Sequence, residues 1–191
     1  MARIIAGAHK GRRLAPVQSD RTRPTSDRVK ESLFSQLEGY NAIDDAVVVD
    51  LFAGSGALGL EAASRGAAEV VLVENNPAAV KIIRHNADVV KHPRVSIEET
   101  KASTYLAHAP REHFTMVLAD PPYELTDEAV VEMLEALKPA LVDGAAVVVE
   151  RHVSSPETAW PPEYVPTTQK LKKRTYGIAR MDVAVYHRED V

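Results

Sequence analysis

Short apolar runs alternate with amphipathic helical patterns along the chain from Val47 onward. Most of these runs are continuously apolar and rich in β-branched residues, which is typical of strands that a parallel sheet buries on both faces. The runs predict five strands, at Val47–Phe52, Val70–Glu74, Val95–Glu98, Phe114–Ala119 and Ala145–Glu150. Strands that alternate with helices in this way indicate stacked βαβ units and therefore an α/β fold.

Turn and capping residues mark the helices between these strands. The first helix follows a glycine-rich turn and covers Ala57–Arg65. The second has Asn76 as its N-cap and Pro77 in its first position, which satisfies free N–H groups and fixes the first φ angle. The third begins near Thr126 and stops at Pro139, because proline cannot continue a helix.

The two ends of the chain follow other patterns. Near the C-terminus, Tyr164–Arg174 and Ile178–Tyr186 are extended runs joined by a short turn, and they predict an antiparallel hairpin. Near the N-terminus, Arg3–Val17 predicts a second, shorter hairpin. Thr25 or Ser26 then caps a helix that precedes the first βαβ unit.

Length and composition fit one domain with a small extension. We predict a seven-stranded, mostly parallel sheet closed by the antiparallel hairpin in residues 41–191, and a basic hairpin-and-helix extension in residues 1–40. The absence of cysteine excludes disulfides and thiolate metal sites, and the seven scattered histidines predict no metal site. No run approaches the roughly 18 apolar residues of a membrane span, so we expect a cytoplasmic protein.

The net charge of −4 conceals an uneven distribution, because the first 30 residues hold eight basic and only two acidic side chains. A basic segment on an acidic body is expected where one part of a protein contacts nucleic-acid phosphates. A solvated charged arm is the alternative. The candidate RNA contacts are Arg12, Arg13, Arg23, Arg28 and Lys30. The later basic run at 170–174 favours a solvated strand edge slightly over an RNA contact.

A glycine-rich turn follows the first predicted strand. Gly54, Gly56 and Gly59 satisfy the spacing G-x-G-x-x-G between a strand and a helix, where the backbone can approach a nucleotide-like ligand. About 20 residues later, Glu74 ends the next strand and can accept hydrogen bonds from ribose hydroxyls. The pattern predicts an adenosine-containing cofactor, and close packing of helix on strand is the alternative reason for the glycines.

Asp120-Pro121-Pro122-Tyr123 directly follows the apolar strand Phe114–Ala119. The lone pair of a base amine is delocalised into the ring, so a catalyst must orient that amine before it can attack. The Asp120 carboxylate and the Pro121 carbonyl can each accept one N–H, while the Tyr123 ring stacks on an extruded base. A rigid loop that only terminates the strand is the alternative interpretation.

Together, Asp50-Leu51-Phe52-Ala53-Gly54-Ser55-Gly56 and Asp120-Pro121-Pro122-Tyr123 resemble the Rossmann-like class I methyltransferases that modify exocyclic amines. The segments 7–14 and 22–34 narrow the resemblance to the RsmD-type 16S ribosomal RNA (guanine-N2) methyltransferases. The resemblance implies S-adenosyl-L-methionine as cofactor, and as partner the 16S rRNA of the small (30S) subunit or its assembly intermediate. We expect the protein to be a monomer.

The same resemblance implies the roles of individual residues. Asp120, Pro121, Pro122 and Tyr123 would be catalytic and meet the target base. The cofactor-binding residues would be Asp50, Phe52, Gly54, Gly56, Glu74 and Asn75, with Ala102 or Ser103 contacting the adenine. Three alternatives stay open on the sequence: an adenine-N6 methyltransferase acting on DNA, a nicotinamide-dependent oxidoreductase, and a non-catalytic RNA-binding protein.

Overall fold

The apolar runs of the sequence lie side by side in one large sheet. The computed structural model describes residues 2–17, 26–170 and 173–188. Within these residues a two-stranded sheet pairs β1 (Ala2–Arg3) with β2 (Arg13–Leu14). The large sheet contains β3 (Val47–Asp50), β4 (Glu69–Glu74), β5 (Val95–Glu99), β6 (Phe114–Ala119), β7 (Leu141–His152), β8 (Tyr164–Pro166), β9 (Thr175–Tyr176) and β10 (Ala179–Tyr186).

The strand order in the large sheet is β5-β4-β3-β6-β7-β10-β8, and β9 pairs with β10. The first five strands are parallel, whereas β10 is antiparallel to its neighbours. From β3 the chain runs outward through β4 to β5, then returns to β6 on the other side of β3. This reversal opens a crevice at the carboxyl ends of β3 and β6, where open α/β sheets bind ligands. The predicted Rossmann-like fold is confirmed.

Helices cover both faces of the large sheet. On one face Leu60 and Ile83 pack with Val48, and on the other Leu134 packs with Val49, because successive strand residues point to opposite faces. No helix in the described part of the chain is long and apolar enough to cross a membrane. The helices are α1 (Asp27–Gly39), α2 (Ala57–Ser64), α3 (Pro77–Val90), α4 (Ala102–Leu106), α5 (Asp127–Leu137) and a short 3-10 turn (Lys138–Ala140).

The helices begin where the capping residues of the sequence predict. The Asn76 side chain accepts a hydrogen bond from the Ala78 N–H at 2.9 Å, and Pro77 occupies the first helical position of α3. Thr126 caps α5 in the same way. Ser26 is the N-cap of α1. Each cap satisfies an N–H group that has no partner inside its helix.

The predicted long strand Tyr164–Arg174 is wrong. Of this range, the structure places only the three-residue β8 on the sheet, and the short β9 lies in residues that the sequence predicts as the turn. Residues 167–170, which follow β8, are all polar and offer no apolar face that would hold them on the sheet. The tight closing hairpin joins β9 to β10 around Gly177, whose φ is +62°. The helix α4 is not predicted by the sequence because five residues are too few to show helical periodicity.

The N-terminal extension is attached to α2 through the buried carboxylate of Glu61. This carboxylate accepts hydrogen bonds from the backbone N–H groups of Ile5 at 2.9 Å and Ala6 at 3.0 Å. It also pairs with Lys30 at 3.4 Å and with Arg65 at 2.8 Å. Two cations and two N–H groups compensate the cost of burying this charge.

The prediction that Lys30 contacts RNA is wrong. Its side chain is completely buried, and its ammonium group donates to Glu61 and to the backbone carbonyl of Arg3. Leu33 and Leu37, three and seven residues further along α1, are buried as well. Lys30 therefore lies on the core-facing stripe of the helix and cannot reach a phosphate.

Candidate active site

Four carboxylates form a row along the carboxyl edge of the parallel sheet. In the order of the adjacent strands β4, β3, β6 and β7 they are Glu74, Asp50, Asp120 and Glu150. The registers set Glu74 and Asp120 two residues beyond the level of Asp50, and Glu150 level with Asp120. All four side chains consequently share one face of the sheet. The described residues contain no group of three side chains arranged to hold a metal ion.

The glycine-rich turn after β3 lies beside this row. Gly54 and Gly56 have φ angles of +56° and +81°, in the left-handed region that side chains disfavour. A Cβ on Gly59 would lie 2.3 Å from the Leu72 side chain, so this glycine allows α2 to pack on β4. In contrast, no heavy atom lies within 4 Å of the place of a Cβ on Gly54. The turn therefore leaves open space next to the carboxylates.

Glu74 connects this turn to the turn after β4. One carboxylate oxygen accepts a hydrogen bond from the Gly54 N–H at 2.9 Å, and the other accepts one from the Asn76 N–H at 2.8 Å. Phe52 is half-buried, and Asn75 is exposed beside Glu74. Each oxygen of Glu74 keeps a lone pair with which it can accept a ligand hydroxyl.

Asp50 is the most deeply buried member of the row, with 1% of its surface exposed. Its Oδ2 accepts a hydrogen bond from the Gly59 N–H at 3.1 Å, whereas its Oδ1 has no hydrogen-bond partner among the described residues. Burial raises the pKa of Asp50 to about 7, and the nearby charges of Asp120 and Glu74 add to the rise. A cation that binds beside Asp50 would therefore stabilise the ionised form of its carboxyl group.

Asp120, at the end of β6, begins the rigid turn Asp120-Pro121-Pro122-Tyr123. The Leu125 N–H donates to the Pro122 carbonyl at 2.9 Å and closes the turn. Burial raises the pKa of Asp120 to about 7. The Tyr123 side chain is exposed at the surface, and its ring packs edge-to-face with that of His152, with 5.1 Å between the ring centroids. A carboxylate, a proline carbonyl and an aromatic ring are thus brought together at the switch point of the sheet.

Glu150 belongs to the same site but was not among the candidates that the sequence motifs provide. Only 8% of its surface is exposed, and its Oε2 has no hydrogen-bond partner among the described residues. Burial and the charge of Asp120 raise its pKa to about 8. An available indication was that Glu150 directly follows an apolar strand run, as Asp50, Glu74 and Asp120 do.

A cavity of about 410 Å³ opens in front of Glu150 and Tyr123. Its walls come from the N-terminal end of α1 and from the β9–β10 hairpin, including Arg28 and Tyr176. The Tyr176 hydroxyl is hydrogen-bonded to Ser32, which ties the hairpin to α1. Both ends of the chain therefore contribute to the space beside the sheet edge.

The segment proposed to contact adenine also lies at this edge. The Thr100 N–H donates to the Glu74 backbone carbonyl at 3.1 Å, and α4 begins two residues later at Ala102. Ala102 is half-buried and packs against the apolar core, while Ser103 is exposed. The start of α4, with both residues, therefore follows directly on the contact between Thr100 and the carboxyl end of β4.

The five basic residues predicted to contact RNA divide into three groups. Arg12, Arg13 and Arg28 are exposed, and Arg12 donates to the Val89 backbone carbonyl. Lys30 is buried, as described above. Arg23 lies outside the described residues. The exposed members remain candidates for contact with a polyanion.

Comparisons with known proteins agree with this geometry. The family model described as conserved hypothetical protein 95 matches residues 2–185. The ribosomal RNA small subunit methyltransferase D of Escherichia coli K12 is 39% identical over 155 residues, which are 80% of this chain and 76% of the relative. The protein of the same name from Haemophilus influenzae is 36% identical over 183 residues, with 92% and 89% coverage.

A solved structure gives the same result. The methyltransferase yhhF from Escherichia coli superposes with a TM-score of 0.81 at 31% identity, covering 98% of both chains. Family model, sequence relatives and fold all extend over most of the chain. The chain therefore belongs to the RsmD family of Rossmann-like class I methyltransferases.

Proposed function

We propose that this protein transfers a methyl group from S-adenosyl-L-methionine to the exocyclic N2 of a guanine in 16S ribosomal RNA. The observation that carries the proposal is the position of the Asp120–Tyr123 turn at the switch point of the sheet, beside Asp50 and the glycine-rich turn. Two relatives are named for methylation of small-subunit ribosomal RNA, which supports the small subunit or its assembly intermediate as substrate.

The residues at the sheet edge fit the cofactor in shape and charge. S-adenosyl-L-methionine supplies an electrophilic methyl group on a positively charged sulfur and also carries an ammonium group. The unpartnered Oδ1 of Asp50 offers a buried acceptor for a cation, and Gly54 leaves room for the ligand. Glu74 offers acceptors for the ribose hydroxyls. We assign four further parts of the sheet edge to the cofactor site: Phe52, Gly56, Asn75 and the start of α4 at Ala102 and Ser103.

The Asp120 turn acts on the target amine. Its carboxylate and the Pro121 carbonyl each accept one N–H, which fixes the nitrogen and directs its lone pair away from the ring plane. Tyr123 stacks on the base. When the methyl carbon bonds to the nitrogen and its bond to the sulfur breaks, the nitrogen would become cationic, and the Asp120 carboxylate can accept its proton. The protein thus contributes orientation and electrostatic stabilisation rather than a covalent intermediate.

Exposed arginines of the extension hold the RNA. The part of the chain after residue 30 carries 25 acidic and 15 basic side chains, and such a body repels an anionic particle. Arg12, Arg13, Arg23 and Arg28 provide the compensating charge, and Arg28 borders the cavity beside Tyr123. We assign these four arginines to phosphate contacts.

Replacing Glu74 by alanine should weaken the binding of S-adenosyl-L-methionine by about 10- to 100-fold, because hydrogen bonds to a charged acceptor contribute about 1.5 to 3 kcal/mol. Isothermal titration calorimetry measures the effect. Glu132→Ala, which removes an exposed charge from α5, is the matched control. An unchanged dissociation constant for Glu74→Ala would remove this residue from the cofactor site.

Replacing Asp120 by alanine should leave cofactor affinity within a few fold but lower the methylation rate of small-subunit particles by about 100-fold or more. The exposed Asp88→Ala serves as control. Nucleoside mass spectrometry of the product must show N2-methylguanine. A product of N6-methyladenine would contradict the proposed function, and near wild-type turnover by Asp120→Ala would contradict the role of this residue.

The fourfold alanine variant of Arg12, Arg13, Arg23 and Arg28 should bind RNA with a weaker dependence on salt. Each lost phosphate contact flattens the log–log slope by about one unit, because fewer counterions are released. Cofactor affinity should not change. The control variant replaces four exposed basic residues elsewhere, Lys81, Arg84, Arg94 and Arg111.

An identical salt slope for the wild type and the arginine variant would contradict the phosphate contacts. If, instead, only the melting temperature fell, the arginines would have a structural role, as the Arg12 bond to the Val89 carbonyl permits. Thermal melting of both variants separates these outcomes.

A further inference from the structure

We propose that Glu150 reads the Watson–Crick edge of the target base, accepting the N1–H of guanine and thereby selecting guanine against purines without N1–H. The inference rests on the proposed function and deepens it by naming the residue that distinguishes the bases. Glu150 lies outside both the glycine-rich turn and the Asp120–Tyr123 motif. Its placement, its unpartnered oxygen and the cavity in front of it carry the argument.

The strand register places Glu150 next to the target amine. Ala119 of β6 is level with Val149 of β7, so Asp120 and Glu150 are adjacent and project from the same face. When Asp120 holds the amine of the base, the adjacent N1 position of the base can face β7. Glu150 is the carboxylate that β7 offers there, on the side of Asp120 opposite to Asp50.

The described residues around Glu150 give its Oε2 no hydrogen-bond partner. On the other side of β7, the residue level with Glu150 is the buried Met181 of β10. The next residue along the chain, Arg151, forms its ion pair with Asp127 instead. A buried carboxylate oxygen that lacks a donor among the described residues is costly, and a catalytic or ligand-binding role is one of the few reasons for which native proteins retain such a group.

The cavity in front of Glu150 has the size and the walls of a base site. Its volume of about 410 Å³ lies within the range of about 300 to 1,000 Å³ that small-molecule sites occupy. Tyr123 lies on its wall with an exposed ring, and Arg28 at the start of α1 offers a cation near the entrance. An extruded nucleotide can therefore place its base against Glu150 and its phosphate toward the extension.

The donor and acceptor pattern of the base decides which purine fits. Guanine presents N1–H as a donor beside the reacting amine, and the ionised Glu150 carboxylate can accept it. Adenine and 2,6-diaminopurine have a bare N1, whose lone pair would face an oxygen of the ionised carboxylate and repel it. The two N–H groups of the reacting amine stay with Asp120 and Pro121, and Glu150 holds the ring beside them. Glu150 thus contributes to positioning as well as to specificity.

The test compares two bases that carry the same reacting amine. Small-subunit particles are reconstituted with RNA that contains either guanosine or 2,6-diaminopurine riboside at the mapped methylation position. At about pH 8.5, where Glu150 with its pKa of about 8 is mostly ionised, the wild type should prefer guanine by about 10- to 100-fold in kcat/KM, because 2,6-diaminopurine leaves the buried carboxylate without a donor. Glu150→Gln should erase or reverse this preference, because its amide can donate to a bare N1.

Controls separate specificity from folding. Glu132→Gln removes an exposed carboxylate from α5 and should keep the wild-type ratio. Binding of S-adenosyl-L-methionine to Glu150→Gln should stay within a few fold of wild type, which shows that the sheet edge is intact. Glu150→Ala provides a second variant and should also lose the preference for guanine, without gaining activity on 2,6-diaminopurine.

The outcomes distinguish the two levels of the proposal. If the wild type methylates guanine and Glu150→Gln keeps the wild-type ratio between the two bases, Glu150 does not read the base and only this inference is overturned. If the wild type methylates neither particle, the proposed function is overturned and the role of Glu150 with it.

Discussion

Burial of neighbouring carboxylates is the constraint on which the site depends. Burial removes most of the water that would stabilise their charges, and the charge of Asp120 further disfavours the ionised forms of Asp50 and Glu150. Parallel strands with fixed registers leave these side chains no way to separate. The cofactor-free protein therefore holds protons at the sheet edge near neutral pH, and a cationic ligand relieves the repulsion.

The N-terminal extension is rigidly connected to this site. Asn86 of α3 is fully buried, and its amide donates to the backbone carbonyls of Ala15 at 2.9 Å and Ser55 at 2.8 Å. It also accepts a hydrogen bond from the Ala15 N–H at 2.8 Å. One side chain thus joins the extension to the glycine-rich turn. The RNA that we propose the extension binds would consequently be aligned with the glycine-rich turn through a short path of buried contacts.

The sequence predicts the parts of the molecule that repeat a strong local pattern. Continuous apolar runs identify the five parallel strands, and Asn76 with Pro77 identifies the start of α3. What the sequence cannot reveal depends on contacts between distant segments. The burial of Lys30 requires the position of Glu61, and the role of Glu150 becomes visible only when β7 is aligned with β6. Residues 167–170, for which the sequence predicts an extended strand, do not continue β8 on the sheet because they have no apolar side chains to bury there.

The most direct test of the account is the number of protons released when S-adenosyl-L-methionine binds, measured by calorimetry in buffers of different ionisation enthalpy. Carboxyl groups whose pKa values lie at about 7 in the free protein should ionise beside the cationic ligand, releasing on the order of one proton near pH 6.5. Because only the ionised form binds tightly, affinity should be full at pH 8 and fall as the pH drops below about 7. The same affinity and no proton release between pH 6 and 8 would contradict the claim that this carboxylate row holds the cofactor.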